Sequence, residues 1–167
     1  MSLIQGRAWV FGDNINTDLI IAGRYLYSPI PEAAQHTFEA VDKTFSQKVK
    51  SGDVIVAGKN FGCGSARDAA PLVLKQLGIG CILAEDFARI FFRNAIAIGL
   101  PALAVKGISG KVQPLDEISV SIDSGEVSII RTGEVLKTTP FPPQMRAIIQ
   151  AGGIDELLQN FKRGENG

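Results

Sequence analysis

Val54-Ile55-Val56-Ala57, then Gly58-Lys59-Asn60-Phe61-Gly62-Cys63-Gly64, then Ser65 onward, is the stretch whose reading decides the fold. Gly52-Asp53 marks a turn, and the four apolar residues after it have the length and composition of a strand buried on both faces. Ser65 to about Gln76 predicts a helix, which Gly78 ends as a left-handed cap. Cys81 to Ala84 repeats the strand pattern. Asp86 to about Ile98 predicts a second helix closed by Gly99, with Phe87, Ile90, Phe91, Ala95 and Ile98 recurring at spacings of three and four as a core face. Pro101 to Val105 supplies a third strand. Strand–helix–strand–helix–strand implies right-handed crossovers and a parallel sheet.

Working outward, Arg7 to Phe11 reads as a strand, with Trp9 as a core residue, and the polar loop Gly12-Asp13-Asn14-Ile15-Asn16-Thr17-Asp18 follows it. Pro29-Ile30-Pro31 is expected to break any element there, with a helical piece starting at Glu32 and running past Gln35. Toward the other end the grammar changes. Glu117 to Ile122 alternates cleanly, Asp123-Ser124-Gly125 turns the chain into Glu126 to Ile130, and Thr132-Gly133 precedes Glu134 to Lys137. That is an antiparallel meander. Helices over Gln144 to Ala151 and Ile154 to Lys162 close the chain. Residues 1–167 thus read as one mixed α/β domain, its sheet combining a parallel core with an antiparallel meander, without repeats or low-complexity segments.

The chain has 167 residues, 46% hydrophobic and 20% charged, which suits a packed core and excludes wholesale disorder. Seventeen Lys+Arg balance seventeen Asp+Glu, so there is no basic surplus to hold nucleic acid or an anionic membrane. No apolar run approaches the ~20 residues of a membrane span, and the first residues do not read as a signal peptide. Two cysteines and one histidine are too few for this chain alone to hold zinc or an iron–sulfur centre. Cys81, in an apolar run, reads as a buried thiol. A reducing, cytoplasmic setting follows.

The glycine-rich loop joins a buried strand to a helix, so it lies at the carboxyl end of a strand, where open α/β sheets bind ligands. Gly62 and Gly64 let the backbone approach a ligand, free amides after Ser65 with the helix dipole attract a carboxylate or phosphate, and Arg67 adds a two-pronged contact. Two nucleotide motifs fail. The dinucleotide fingerprint lacks its third glycine at Arg67, and Gly58-Lys59 is followed by Asn60 instead of Ser or Thr. A competing reading makes Ser65-Ala66-Arg67-Asp68 a capping box, with Ser65 as N-cap and Asp68 reaching back. A Cys63 nucleophile would need His36 as its base, and His36 reads more simply as a solvent-side helix residue.

Taken in order, four segments resemble the small-subunit family of 3-isopropylmalate dehydratase, within the aconitase superfamily. They are the opening Gly12-Asp13-Asn14-Ile15-Asn16-Thr17-Asp18-Leu19-Ile20, the specificity-loop start Gly23-Arg24-Tyr25-Leu26, the catalytic loop Lys59 to Arg67, and the helix Phe87 to Ala95. The resemblance implies a swivelling β/β/α domain that closes over a large subunit holding a [4Fe–4S] cluster, this chain having no cofactor of its own. The implied reaction interconverts 2- and 3-isopropylmalate through an alkene in leucine biosynthesis, on a 2-hydroxy dicarboxylate substrate. By position Ser65 would be the base and Arg67 would bind a substrate carboxylate, with Gly64 and Ala66 beside them. Arg24, Leu26 and Tyr27 would face the group that distinguishes one malate derivative from another.

The chain departs from the common pattern in that Ala66 replaces a second serine, Asp68-Ala69 replaces Glu-His, and Asn16 stands where Asp is usual. Substrate identity therefore stays open among isopropylmalate, methylmalate and homocitrate, although no cation follows Leu26 to pair a distal carboxylate. A non-catalytic carboxylate-binding module is the rival from another class. Arg89 and Arg93, one helical turn apart, read as structural or subunit-contact residues. A homo-oligomer of the isolated chain is compatible with this reading.

Overall fold

A computed structural model describes residues 3–165. In chain order the elements are β1 (Leu3–Val10), α1 (Thr17–Ile20), a 3-10 turn (Gly23–Tyr25), α2 (Ile30–Ala34), α3 (Phe45–Lys48), β2 (Val54–Ala57), α4 (Ala69–Gln76), β3 (Cys81–Ala84), α5 (Arg89–Ala97), β4 (Ala102–Ala104), β5 (Glu117–Ser121), β6 (Glu126–Ile129), β7 (Glu134–Lys137), α6 (Pro143–Ala151) and α7 (Ile154–Glu165). The strands form one sheet in the order β4-β3-β2-β1-β5-β6-β7. Strands β4, β3, β2 and β1 are parallel, and β5, β6 and β7 continue antiparallel from β1.

The length of β1 has a reason. Leu3 to Arg7 pairs with β5, and Ala8 to Val10 pairs with β2, so the two halves of the sheet meet within one strand. The parallel strands are apolar throughout because both faces are covered. Ile55, Ala57, Ile82 and Ala84 pack under the helices with Phe38, Phe45 and Leu74. Val54, Val56, Cys81 and Leu83 face a second core with Val120, Val127 and Phe141. Strand β5 alternates buried and partly exposed residues, as its sequence pattern predicts. Beyond β7, the Thr138 hydroxyl donates to the Ala104 carbonyl of β4 at 2.7 Å, which ties the two sheet edges together.

Several boundaries differ from the sequence reading. Helix α2 starts at Ile30, with Pro31 in its first turn, where the missing N–H has no intrahelical role and the ring pre-sets φ. Helix α5 starts at Arg89, not Asp86, because Asp86 to Ala88 is held extended against Phe61. Phe61 N–H donates to the Asp86 carbonyl and Ala88 N–H to the Phe61 carbonyl, at 3.2 and 2.9 Å. Ile90, placed on the core face by periodicity, therefore falls in the first turn and is 55% exposed. Helix α4 starts at Ala69, and Asp68, in the cap position, makes no side-chain cap bond. The capping box over Ser65–Asp68 does not form, since residues 65–68 are drawn into tertiary contacts instead. The short helices α1 and α3 have no counterpart in the sequence reading.

Asp53 at the head of β2 is buried and accepts five hydrogen bonds: from the Arg7 N–H, Nε and Nη2, the Trp9 indole and the Lys50 N–H. Burial opposes its charge, but the Arg7, Trp9 and backbone donors outweigh it and hold the carboxyl below its ordinary value of 3.8. A depressed folded-state pKa contributes stability that is complete above the unfolded value and lost as pH falls through the folded one. Asp53→Asn is expected to cost about 2–4 kcal/mol in denaturant unfolding at pH 7, with the difference from the parent shrinking below about pH 4. An unchanged pH profile in the variant would count against this role.

Candidate functional site

The register of β1 on β2 continues past both strands. Phe11 N–H donates to Val56, Gly58 to Gly12, Asn14 to Lys59, Gly62 to Ile15 and Thr17 to Cys63, at 2.7–3.1 Å. The loop after β1 is thus zipped to the loop after β2. At the end of this run the buried Thr17 hydroxyl donates to the Ser65 carbonyl at 2.7 Å. Gly62 sits at φ +83°, and a Cβ there would lie 2.2 Å from Phe91 Cγ, so only glycine lets the loop lie on α5. Gly64, at φ +91°, turns the chain outward and leaves Ser65 exposed. Ala66 is exposed beside it.

Arg67 is mostly buried, and its Nη1 donates to Asp18 Oδ1 at 2.9 Å and to the Ile21 carbonyl at 3.0 Å. Its Nη2 lies 3.7 Å from where a Gly23 Cβ would be, which places the guanidinium against the start of the 3-10 turn. Among the described residues Nε and Nη2 have no hydrogen-bond partner, so one edge of the fork is available to a carboxylate. The amides of Ser65, Ala66 and Arg67 also have no internal acceptor among the described residues. Because α4 begins four residues after Ser65, these loop amides and Arg67 supply the positive field at Ser65, and the first turn of a helix does not.

Arg24, Tyr25, His36 and Glu39 form one cluster. The Arg24 guanidinium lies 4.8 Å from the Tyr25 ring centroid, Tyr25 stacks on His36 at 4.0 Å, and Glu39 Oε2 accepts from the Tyr25 hydroxyl at 2.8 Å and from Arg24 at 3.2 Å. The Tyr25 hydroxyl, with His36 and Arg24, holds the Glu39 carboxyl below its usual range. Arg24 thereby anchors the turn. Tyr25 packs on its own fold, whereas Tyr27 is 100% exposed and Leu26 is also exposed. His36 is not a free helix residue, and its commitment to Tyr25 and Glu39 takes away the base that a Cys63 nucleophile would need.

Other expectations resolve plainly. Asn16 caps α1, its Oδ1 accepting from Leu19 N–H at 2.8 Å, so asparagine replaces aspartate with the cap intact and one charge fewer. Asp68 accepts from Asn94 at 3.3 Å and ties the loop to α5. Arg89 and Arg93 are exposed on that helix. Cys81 is fully buried, and burial pushes its thiol pKa up, which disfavours the thiolate a metal needs. Among the described residues no group of three or more His, Cys, Asp and Glu could hold a metal ion, and no helix is long and apolar enough to cross a membrane. Thr17, Asp18 and Glu39 escaped sequence reasoning. The first two lie inside the opening motif, but nothing local says that they reach residues 48 and 49 positions away.

The mixed seven-stranded sheet and this loop pair place the chain in the class of aconitase C-terminal domains. The aconitase C-terminal domain profile matches residues 14–107, and the chain belongs to that family. It is similar to the isopropylmalate/citramalate isomerase small subunit of Methanocaldococcus jannaschii, 53% identical over 159 residues covering 95% of each chain. It is also similar to 3-isopropylmalate dehydratase small subunit 1 of Methanopyrus kandleri, 50% identical over 94% of this chain and 93% of the relative. Among solved structures, the crystal structure of a 3-isopropylmalate dehydratase from Methanocaldococcus jannaschii superposes with a TM-score of 0.91, at 39% identity and 99% coverage of both chains.

The Thr17 bond is open to test. Thr17→Val strands the Ser65 carbonyl and is expected to cost about 1–2 kcal/mol in unfolding free energy, with NMR shift changes concentrated at residues 63–67. Thr17→Ser keeps the hydroxyl and should recover most of the loss. Equal losses in both variants would show that the methyl group matters more than the hydrogen bond.

Proposed function

We propose that this chain is the small subunit of a hydro-lyase that interconverts 2-isopropylmalate and 3-isopropylmalate by removing and re-adding water, a step of leucine biosynthesis, and that it works only with a large subunit. The observation that carries the reading is half a site: a serine hydroxyl and the free edge of an arginine fork on one exposed loop, beside a turn that presents Leu26 and Tyr27. Water has free access to Ser65, so proton abstraction from carbon needs a second surface to close over it. The domain, taken as residues 1–167, is proposed to swivel over that partner.

In this reading Arg67 binds a substrate carboxylate through Nε and Nη2, while Asp18 and the Ile21 carbonyl keep the fork aimed. Ser65 takes the proton from carbon, with developing negative charge on its oxygen met by the loop amides and Arg67. Gly64 and Ala66 let substrate lie against the backbone. Two thiols are too few to hold a [4Fe–4S] cluster, and Cys81 is deeply buried, so the cluster is assigned to the large subunit. There it would supply the Lewis acidity that the departing hydroxyl needs. Free Cys63 and Cys81 also support a reducing, cytoplasmic setting.

Methylmalate is a second substrate to carry, because one relative's name pairs isopropylmalate with citramalate, which is methylmalate. The pocket element offered by Leu26 and Tyr27 suits either apolar group, and the two differ by only about 1–3 kcal/mol of binding. Homocitrate fits less well. Arg24, the nearest cation in sequence, is occupied by Tyr25 and Glu39.

Three experiments test this reading. The isolated chain is expected to be colourless, iron-free and inactive, and to gain activity on mixing with a cluster-bearing large subunit. In that assembly Ser65→Ala should lower turnover by about three orders of magnitude with substrate still bound, while Arg67→Lys should chiefly raise KM. Full turnover by Ser65→Ala would remove the serine from the reaction. Separately, Tyr27→Arg should shift preference toward homocitrate, and equal rates on isopropylmalate and homocitrate in the parent enzyme would defeat the specificity assignment.

A further inference from the structure

Leu26 and Tyr27 stand on a turn that has little of its own to hold it. Within the turn the backbone makes only short-range bonds: Tyr25 N–H donates to the Ala22 carbonyl, Leu26 to Gly23 and Ser28 to Tyr25, at 3.0–3.2 Å. Bonds of this 3-10 type are poorly aligned and do not fix so short a segment by themselves. Leu26 and Tyr27 are 37% and 100% exposed, so their side chains add little burial. Among the described residues, every hydrogen bond that ties residues 23–28 to chain beyond 22–28 runs to one oxygen, Glu39 Oε2.

Regular structure does not deliver Glu39 to that point. Phe38 before it sits at φ +56°, a left-handed conformation that is costly for a bulky side chain and persists only where the surroundings over-determine it. Here they do. The Phe38 N–H donates to the Ile20 carbonyl at 2.9 Å, and its fully buried ring stacks on Phe11 at 4.3 Å and meets Phe45 edge-on at 5.0 Å. The residue after Phe38 is therefore held beside the turn. Glu39 Oε2 accepts there from the Tyr25 hydroxyl at 2.8 Å and from Arg24 at 3.2 Å. His36 Nδ1 lies 3.3 Å from the same oxygen while its ring stacks on Tyr25.

We propose that Glu39 is a positioning residue that sets substrate specificity. By clamping Tyr25 it fixes Leu26 and Tyr27 against the group that distinguishes one malate derivative from another, a role that rests on the hydro-lyase reading of the site. Glu39 touches none of the reacting groups. Arg67 is held by Asp18 and the Ile21 carbonyl, and the Ser65 carbonyl by Thr17, through bonds that do not involve Glu39. Removing the carboxylate therefore loosens the turn and leaves the fork and the serine in place. The turn meets a part of the substrate that the reaction does not change. Its contacts bind ground state and transition state alike, and they are read in KM.

Two measurements test the proposal. In the isolated full chain, the amides of Tyr25, Leu26 and Ser28 should exchange with solvent about tenfold faster in Glu39→Ala than in the parent, with residues 54–57 of β2 unchanged. In the assembly with the large subunit, Glu39→Ala should raise KM for isopropylmalate about tenfold with kcat within about twofold. Glu39→Gln keeps an acceptor for the Tyr25 hydroxyl and should recover most of the loss. Tyr25→Phe should reproduce the rise in KM, and Glu39→Ala/Tyr25→Phe should be no worse than Glu39→Ala, because both changes break one bond. A merely structural role would lower kcat at unchanged KM, through a smaller active fraction. Unchanged exchange at residues 25–28, a parental KM in Glu39→Ala, a fall in kcat alone, or a glutamine variant as impaired as the alanine one would each overturn the proposal. A parent assembly with no activity on isopropylmalate would overturn the hydro-lyase reading and the specificity role with it, while the exchange result would still decide whether Glu39 clamps the turn.

Discussion

A buried carboxylate sets one strand against its neighbour, and the site depends on the register that results. Asp53 stands at the head of β2 and gathers donors from Arg7 and Trp9 of β1 and from Lys50. A buried charge is tolerated only when its lone pairs are filled, so the strands cannot slide without stranding it. Gly6 allows the approach, since a Cβ there would fall 1.9 Å from the Gly52 carbonyl oxygen. The strand pairing that follows, Ala8 on Val54 and Val10 on Val56, is the first part of a longer zipper.

That zipper explains why two motifs nearly fifty residues apart share one surface. Parallel strands emit their following loops at the same edge of the sheet. Here the loops stay bonded to each other well past the last ladder residue, as far as Thr17 and Ser65. Asp18 then meets Arg67, whose guanidinium lies against Gly23, so the turn bearing Leu26 and Tyr27 joins the same face. The backbone around Ser65 is held by bonds that spare its side chain and its amide. A loop fixed this way holds Ser65 in place without covering its side chain, which is what the proposed half-site requires.

The two ends of α5 divide the molecule's contacts. Its N-terminal end supports the loop through Phe61, Phe87 and Phe91, whose rings pack edge-to-face and stacked. Its C-terminal end carries the α6–α7 pair.

Strand and helix order, the parallel core, the meander and the glycine-rich loop between β2 and the next helix were legible in the sequence, because each rests on local pattern. Buried parallel strands must be apolar on both faces, alternation must follow a one-sided sheet, and glycines must appear where φ is positive. Cysteine and histidine counts bear on metal binding before any fold is known. What the sequence could not show was which tertiary partner wins a group that has two local options. Ser65 to Asp68 has the letters of a capping box, yet Thr17 takes the Ser65 carbonyl, Asp18 takes Arg67 and Asn94 takes Asp68, so the helix starts four residues late. Ile90 has core periodicity, yet the pairing of Phe61 with Phe87 delays α5 and turns it outward. In both places long-range hydrogen bonds outweigh a local preference worth about 1 kcal/mol, and such partners become visible only when the chain is folded.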